Sequence, residues 1–354
     1  MADTSTSFNP TTMAQQLATA YTSGMQTRLD GQVADATATT TALGKLQTAL
    51  QTFDSALTAM SSKKSVLARS ATLSDTSLGT VSASGTALPG NYSFFVEQLA
   101  SAHQVAYNNV PTVPAAGVGT MNVQLAGGTD FDVNFSAADT NGDGTLSQAE
   151  MASAINQAPD NKGTVNASVI TVGTTKQLVL SSTATGAGGQ ITLDTSAMSA
   201  NPLTTALASG TTLSTGKDAI VWLGAKDSGI PLQQGSNTFN AIDGVSMTFT
   251  KVSAPGSAPA MLTVSSDDST TAANVQAFVD AFNALQKTMG TLTQVGNKDA
   301  GTTSAAFASD ASVRALNSRL NQLVRQQVGG LGLLDYGVSA DRDGNLQLDK
   351  AKLT

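Results

Sequence analysis

The sequence predicts an α+β chain: a helical coiled-coil stalk formed by the N- and C-terminal segments, with two small β-rich head domains inserted between them. Three observations carry this expectation. Near one end Leu43, Leu46, Leu50, Phe53, Leu57 and Met60 recur at alternating spacings of three and four, and near the other Val275, Phe278, Phe282, Leu285, Met289 and Leu292 do the same. Such alternation averages about 3.5 residues, the seam of a left-handed coiled coil. Between the seams lie short alternating segments rich in Gly, Thr and Ser, which read as strands and turns. Neither seam is stable in water alone. The simplest solution zips one against the other and leaves the middle of the chain as a head.

Residues 1–9 read as unstructured, and Asn9-Pro10 opens a helix with Asn as cap and Pro in the first turn. Met13, Leu17, Tyr21, Met25 and Leu29 continue an apolar stripe, weakened by Gly24 and Gly31. The heptad frame run back from Leu43 puts Ala36 and Thr39 on the seam, so residues 1–42 are expected to form a flexible, partly helical leg. Residues 43–66 with 268–354 form the stalk domain. Ser61-Ser62 and the solvated pair Lys63-Lys64 end its first helix.

Ala71–Ala83, the turn Leu88-Pro89-Gly90-Asn91 and Tyr92–Leu99 read as a hairpin. Val110–Gly119 reads as a linker. Met121–Leu125 and Phe131–Phe135 are short strands, residues 147–158 a short helix, and Val165–Val172, Gln177–Ser181 and Gln190–Leu193 further strands. Ser196–Thr215 is low in complexity and expected to be irregular. Ala219–Leu223, Ser236–Phe239 and Val245–Val252 resume the β pattern, with Asp243-Gly244 as a hairpin turn, and Met261–Ser265 closes it. These segments define one β-rich head of residues 67–110 plus 216–267 and an inserted head of residues 111–215. Val313, Leu316, Leu320 and Leu323 mark another helix, and a terminal hairpin runs from Tyr336 to Asp349. The chain then stops mid-pattern at Ala351–Thr354, as expected of one cut before a further helix.

Composition narrows the function. At 354 residues the chain can hold two or three domains, and 40% hydrophobic residues can fill their cores. Charged residues are only 12%, so the polar surface comes from Thr, Ser, Asn, Gln and Gly. A net charge of −7 argues against nucleic acid, which rewards clustered Lys and Arg. With no cysteine, disulfides, thiolate metal sites and a Cys nucleophile are excluded. The N-terminus lacks a basic and then apolar signal region, and no apolar run reaches roughly 18 residues, so neither a cleaved signal nor a membrane span is expected.

Three segments, in order, resemble the flagellar filament cap family, also called hook-associated protein 2. Leu78 to Gln104 contains Val96-x-x-Leu99-Ala100-x-Ala102, similar to the family's N-terminal signature. Met151–Ala154 running into Ile155-Asn156, then Val165-Asn-Ala-Ser and Leu178-Val-Leu-Ser-Ser-Thr-Ala-Thr-Gly, is similar to the "IN" repeat of flagellins and hook-associated proteins. Lys217-Asp-Ala, Asn237-Thr-Phe, Ile242-Asp-Gly-Val, Val275 to Leu285 and Gly337-Val-Ser-x-Asp-Arg-Asp-Gly-x-Leu resemble successive landmarks of the C-terminal region. The resemblance implies a homo-oligomeric ring at the extracellular tip of the flagellum, under which exported flagellin folds and is inserted, with adhesion as a further role. It implies flagellin, hook–filament junction proteins and the flagellar export apparatus as partners, and export without a cleaved signal. It also implies a C-terminal helix beyond Thr354 that pairs with the N-terminal segment.

One motif lies outside that pattern. Asp139, Asn141, Asp143, Thr145 (through its carbonyl), Ser147 and Glu150 occupy positions 1, 3, 5, 7, 9 and 12 of an EF-hand loop, with Gly144 at position 6. Ca²⁺ takes six to eight hard oxygens, and these positions supply them. The other reading is an Asx-rich turn that caps the helix beginning near Ser147. The terminal hairpin offers a comparison: aligning Gly344 at position 6 puts Ser339 at position 1 and Lys350 at position 12, where Lys cannot ligate. No cofactor is required otherwise; structural Ca²⁺ is the one ion the residues admit.

His103, the single histidine, reads as a surface or interface residue, and Trp222 as a sheet-core residue. The glycines at 186, 188 and 189 lack the Lys-Ser/Thr of a phosphate loop. No nucleophile–base–orienter set is present, so no enzyme is expected. The expected function is filament capping. The alternatives are a secreted Ca²⁺-stabilised adhesin or another hook-associated axial protein.

Overall fold

The computed structural model describes residues 9–62, 65–297, 299–327 and 330–353; the expectations for residues 1–8 and for Lys63-Lys64 lie outside the described residues. The chain forms two compact units, Met1–Ala68 with Asp267–Thr354, and Arg69–Ser266. Its α-helices are α1 (Pro10–Ser62), α2 (Gln148–Gln157), α3 (Pro202–Leu207), α4 (Asp268–Thr293) and α5 (Ala311–Leu323).

In the first unit α1 runs unbroken through Gly24 and Gly31, which corrects the expected partly helical leg. Its many Thr residues turn their hydroxyls back onto the helix: Thr19 donates to the Gln15 carbonyl at 2.8 Å, Thr37 to Val33 at 2.7 Å and Thr52 to Thr48 at 2.9 Å. A β-branched residue that satisfies its own hydroxyl this way is tolerated where helix propensity alone would break the run. Asn9 caps the start, its Oδ1 accepting from Thr11 N–H at 3.1 Å. Asp267 caps the start of α4: its carboxylate accepts from the Thr270 N–H at 2.9 Å and from the Thr270 and Ser269 hydroxyls, and these bonds, the Thr270 N–H first, hold its pKa to about 2.

Helices α1 and α4 pack together, and Leu46 of α1 meets Leu285, Met289 and Leu292 of α4 in a core completed by Phe307 and Val313. Val275, Val279 and Phe282 of α4 form the next layer with Val338 and Leu346 of the terminal hairpin. Phe53 borders both layers, its ring 6.0 Å from Phe278 and 6.1 Å from Phe282. The six-residue seam predicted on α1 needs correction at Leu43, which is 58% exposed, and at Leu57, also exposed; Ala42 is buried instead. A 3.5-residue frame assumes a partner that follows one supercoiled line. Here α5 enters beside α4 with Val313, Leu316 and Leu320, and turns the contact into a three-helix one. Asn283 ties α4 to the hairpin, donating to the Leu346 carbonyl at 2.8 Å and accepting from its N–H at 2.7 Å.

In the second unit the strands are β1 (Arg69–Leu73), β2 (Gly79–Ala83), β3 (Gly90–Gln98), β4 (Ala102–Asn108), β5 (Val113–Pro114), β6 (Thr120–Leu125), β7 (Asp130–Asn134), β8 (Thr145–Leu146), β9 (Val165–Val172), β10 (Thr175–Thr185), β11 (Ile191–Asp194), β12 (Thr211–Ser214), β13 (Ala219–Leu223), β14 (Ile230–Gln234), β15 (Thr238–Ile242), β16 (Val245–Phe249) and β17 (Ala260–Ser266). A five-stranded sheet in the order β1-β17-β3-β13-β14 faces a three-stranded one, β15-β16-β2, across a core of Phe94, Val96, Val221, Phe239, Met247, Phe249 and Leu262. A second core lies among the sheets β12-β4-β10-β9 and β11-β6-β7 and helices α2 and α3, built on Met121, Phe135, Leu146, Ile155, Leu178 and Leu203.

Several expectations change here. The predicted hairpin of residues 71–99 does not form: β1 and β2 are separate strands joined by a 3-10 turn at Thr76–Leu78, and β3 pairs with β17 and β13. Leu73 at the end of β1 and Leu78 in the turn are both buried in the core between the two sheets, and the chain passes from one sheet to the other there. The stretch expected to be irregular contains α3 and β12, because Asn201 caps α3, Pro202 stands at its first turn, and Leu203 and Leu207 fill the second core. The Val110–Gly119 segment is no free linker either, since Val110, Val113, Ala115 and Val118 are buried in that core. The change of core falls between Ala100 and Val105, ahead of that segment. There the chain crosses twice, with the Ser101 N–H donating to the Lys217 carbonyl at 3.0 Å and the Lys217 N–H returning to Ser101 at 3.2 Å. The Asp243-Gly244 turn forms as read: Gly244 adopts φ +73°, and a Cβ there would meet the Ala87 backbone.

Phe282 is 1% exposed, so Phe282→Ala is expected to destabilise the first unit by about 3–5 kcal/mol. Leu43→Ala should change stability by no more than about 0.5 kcal/mol, as for an ordinary exposed side chain. Urea unfolding followed by helical circular dichroism distinguishes the two.

Candidate functional site

Two features predicted from the residues bear on function, one in each unit. In the first unit the helical surface divides into a buried and an open part. Leu46, Val275, Phe282, Leu285, Met289 and Leu292 are buried, while Leu50, Phe53, Met60 and Phe278 are half-buried. Val279, which the heptad reading left off the seam, is buried as well. Toward the start of α1 the apolar stripe is uncovered: Met13, Leu17, Tyr21, Met25, Leu29 and Val33 range from 48% exposed at Leu29 to 87% at Tyr21. Their spacing of four residues turns the row by about 40° at each step, so it winds around α1 from Met13 to Val33.

In the second unit the Asp139–Glu150 loop folds around its own oxygens. Asp139 accepts from the N–H groups of Gly142 at 2.7 Å and Gly144 at 2.8 Å, Asn141 from Asp143 at 2.7 Å, and Asp143 from the Thr145 N–H at 2.8 Å and hydroxyl at 2.6 Å. Gly144 takes φ +80°, the left-handed turn the motif requires of position 6. Glu150 is buried on the first turn of α2 and closes a capping box, accepting from the Ser147 N–H at 2.9 Å and hydroxyl at 2.8 Å. Its other oxygen accepts from the Thr140 N–H at 3.2 Å. The Ser147 bonds, more than any other cause, hold the Glu150 carboxyl below the ordinary carboxylate range, and the Thr145 bonds do the same for Asp143. Among the described residues no three His, Cys, Asp or Glu side chains stand together as a metal-holding group.

His103 and Trp222 are both placed differently from expectation. His103 is buried on β4, facing inward with Val105 and Tyr107, and its Nδ1 accepts from the Ile191 N–H of β11 at 3.0 Å. The period-two alternation of those three residues was the signal for an inward histidine. Burial alone lowers its pKa from 6.5. Trp222 stands on the face of β13 opposite Val221 and outside the core. Its indole N–H donates to Glu97 Oε2 at 2.6 Å, while Lys226 reaches Oε1 at 2.9 Å. The glycines at 186, 188 and 189 sit at a tight backbone crossing, where a Cβ on Gly186 would meet Gly235 and one on Gly189 the Ala184 carbonyl. Among the described residues no helix is long and apolar enough to cross a membrane.

The His103 contact has a pH signature. Protonation would turn the accepting Nδ1 into a donor facing another donor. The folded pKa lies below the unfolded one, so the stabilisation is complete above about pH 6.5 and is lost as pH falls through the lowered folded value. The unfolding midpoint should therefore drop on acidification from about pH 7 to about pH 5. His103→Asn, which keeps an acceptor but does not titrate, should flatten that dependence in thermal melts.

Comparison with known proteins places these features in a family. Residues 6–103 match the family description "Flagellar hook-associated protein 2 N-terminus" and residues 216–354 match "Flagellar hook-associated protein 2 C-terminus". The chain is 36% identical over 281 residues to the lateral flagellar hook-associated protein 2 of Vibrio parahaemolyticus, covering 77% of this chain and 62% of that protein. It is 33% identical over 333 residues to the B-type flagellar hook-associated protein 2 of Pseudomonas aeruginosa, covering 88% of this chain and 68% of the relative. The crystal structure of the flagellar cap protein FliD D1-D2-D3 domains from Escherichia coli shares the fold with a TM-score of 0.66 at 23% identity, over 88% of this chain and 86% of that one. With both ends matched in order and a relative covered over two thirds of its length, the chain belongs to the flagellar hook-associated protein 2 family.

Proposed function

We propose that this chain caps the flagellar filament: copies assemble at the extracellular distal tip and promote the folding and insertion of exported flagellin. The observation that carries this reading is the open apolar row of α1, from Met13 to Val33, on a helix whose other half packs against α4 through Ala42 and Leu46. Such a row needs covering, and neighbouring subunits or a further helix of the family's C-terminal region would cover it. The weakly charged surface suits dense packing between subunits, since few desolvated charges need partners. In this reading the partners are the chain itself, flagellin, the hook–filament junction proteins and the export apparatus, and the activity is not enzymatic. Electron microscopy of the purified full-length protein should reveal closed rings, and cells lacking the gene should be non-motile and release monomeric flagellin. Normal filaments in those cells, with surface attachment lost, would overturn capping in favour of an adhesin.

We propose separately that the Asp139–Glu150 loop takes Ca²⁺ as a structural ion. The sequence match at positions 1, 3, 5, 6, 7, 9 and 12 supports this, and binding would exchange the Glu150 bonds to Thr140 and Ser147 for bonds to the cation. Titration calorimetry with CaCl₂ should give heat for the unmodified chain and none for Glu150→Ala. Absence of heat from the unmodified chain ends the calcium reading and leaves the loop as a capped turn.

A further inference from the structure

Strand β9 is the outer strand of its sheet and pairs only with β10. Its other side is an edge with no strand beside it; α2 packs against β9, and past the helix the backbone is the kind of surface to which another chain adds a strand. Two side-chain amides occupy part of that edge. Asn156, near the end of α2, donates through Nδ2 to the Ala167 carbonyl at 2.8 Å and accepts through Oδ1 from the Ala167 N–H at 2.8 Å. Asn161 does the same two residues earlier, donating to the Val165 carbonyl at 2.9 Å and accepting from the Val165 N–H at 2.9 Å. Each carboxamide thus bonds one outward-facing residue through both its groups, as a neighbouring strand would. Only Asn or Gln carries a donor and an acceptor side by side in this geometry; Asp offers acceptors alone.

Outward-facing positions alternate along a strand, so after Val165 and Ala167 the next are Val169 and Thr171. Among the described residues no side chain bonds to the backbone of either. Beside them Ile170 and Val172 are 46% and 59% exposed. Uncapped, the edge would offer four outward residues in a row, about the length of an ordinary strand. Capped, it offers two.

We propose that Asn156 and Asn161 form an edge cap that prevents two copies of this chain from joining β9 to β9. The blocked contact is an antiparallel, two-fold pairing, the arrangement in which one edge matches itself. The cap leaves subunit contact to other surfaces. It also assigns a physical role to the asparagine of the Ile155-Asn156 pair: Ile155 fills the core while Asn156 closes the edge.

Amide hydrogen exchange on the unmodified full chain tests the cap directly. The Val165 and Ala167 amides should exchange at least about tenfold more slowly than those of Val169 and Thr171, reflecting one extra bond each. Equal rates would overturn the proposal whatever the variants do. Asn156→Ala should raise self-association above that of the unmodified chain in sedimentation over a concentration series. Because the protein has no cysteine, Ser168→Cys can report the pairing, since exposed Ser168 lies at the centre of the outward residues 165 to 171 and would meet its own copy across the two-fold axis: a disulfide-linked dimer should form in the Asn156→Ala background and not in the unmodified one. Variants that keep their circular dichroism but show neither added self-association nor the cross-link would overturn the proposal.

Discussion

The contact of Phe53 with Phe278 and Phe282 is the point on which the helical unit depends. One ring on α1 touches two on α4, and the three sit where the core containing Leu46 and Met289 gives way to the core containing Val275 and Val338. Aromatic side chains bury more area than any aliphatic residue could in that position, and their tilted geometry adds directional preference. The terminal hairpin can dock only because this layer gives Val338 and Leu346 a surface to cover. Asn283 then sets its register with a paired donor and acceptor.

The β-rich unit solves a different problem with a similar vocabulary. Few charges are available, and among the described residues only two ion pairs form, Lys162–Asp160 and Lys226–Glu97. Polar satisfaction falls instead to amides and hydroxyls that bond the backbone. Asn237 bridges Ala100 in both directions, Asn161 gathers the end of α2 and the start of β9, and the Ser253 hydroxyl accepts from the Val96 N–H. These neutral bonds need no counter-ion and lose little on burial. The same economy governs the Asp139–Glu150 loop, where carboxylates serve as acceptors for local N–H groups before any ion is considered.

Much of the helical unit was legible because a periodic seam is a local signal that survives without tertiary knowledge. Helices α4 and α5 and the closing hairpin all form where their residues placed them. The α1 seam was less exact: Leu43 and Leu57 are exposed and Ala42 is buried, because the side of a helix that meets its partners is set by packing as well as by spacing. In the β unit, turn chemistry such as Asp243-Gly244 could be read, but strand partners could not. Residues 71–83 look like one strand in sequence and enter two sheets in space as β1 and β2. His103 was misread for the same reason, as its acceptor role needs Ile191, far along the chain.

What the sequence determined by itself was the division of the chain into helical ends and a β middle, the lack of thiol chemistry, and the ordered landmarks of its family. Those rest on periodicity, composition and local turn preference, all properties of neighbouring residues. Tertiary structure alone decided which strands pair, which half of α1 is covered, and that Asn156 and Asn161 spend their amides on the edge of β9. Each of those outcomes depends on hydrogen-bond or apolar partners brought together by the fold, and a backbone edge carries no mark in the side chains that form it.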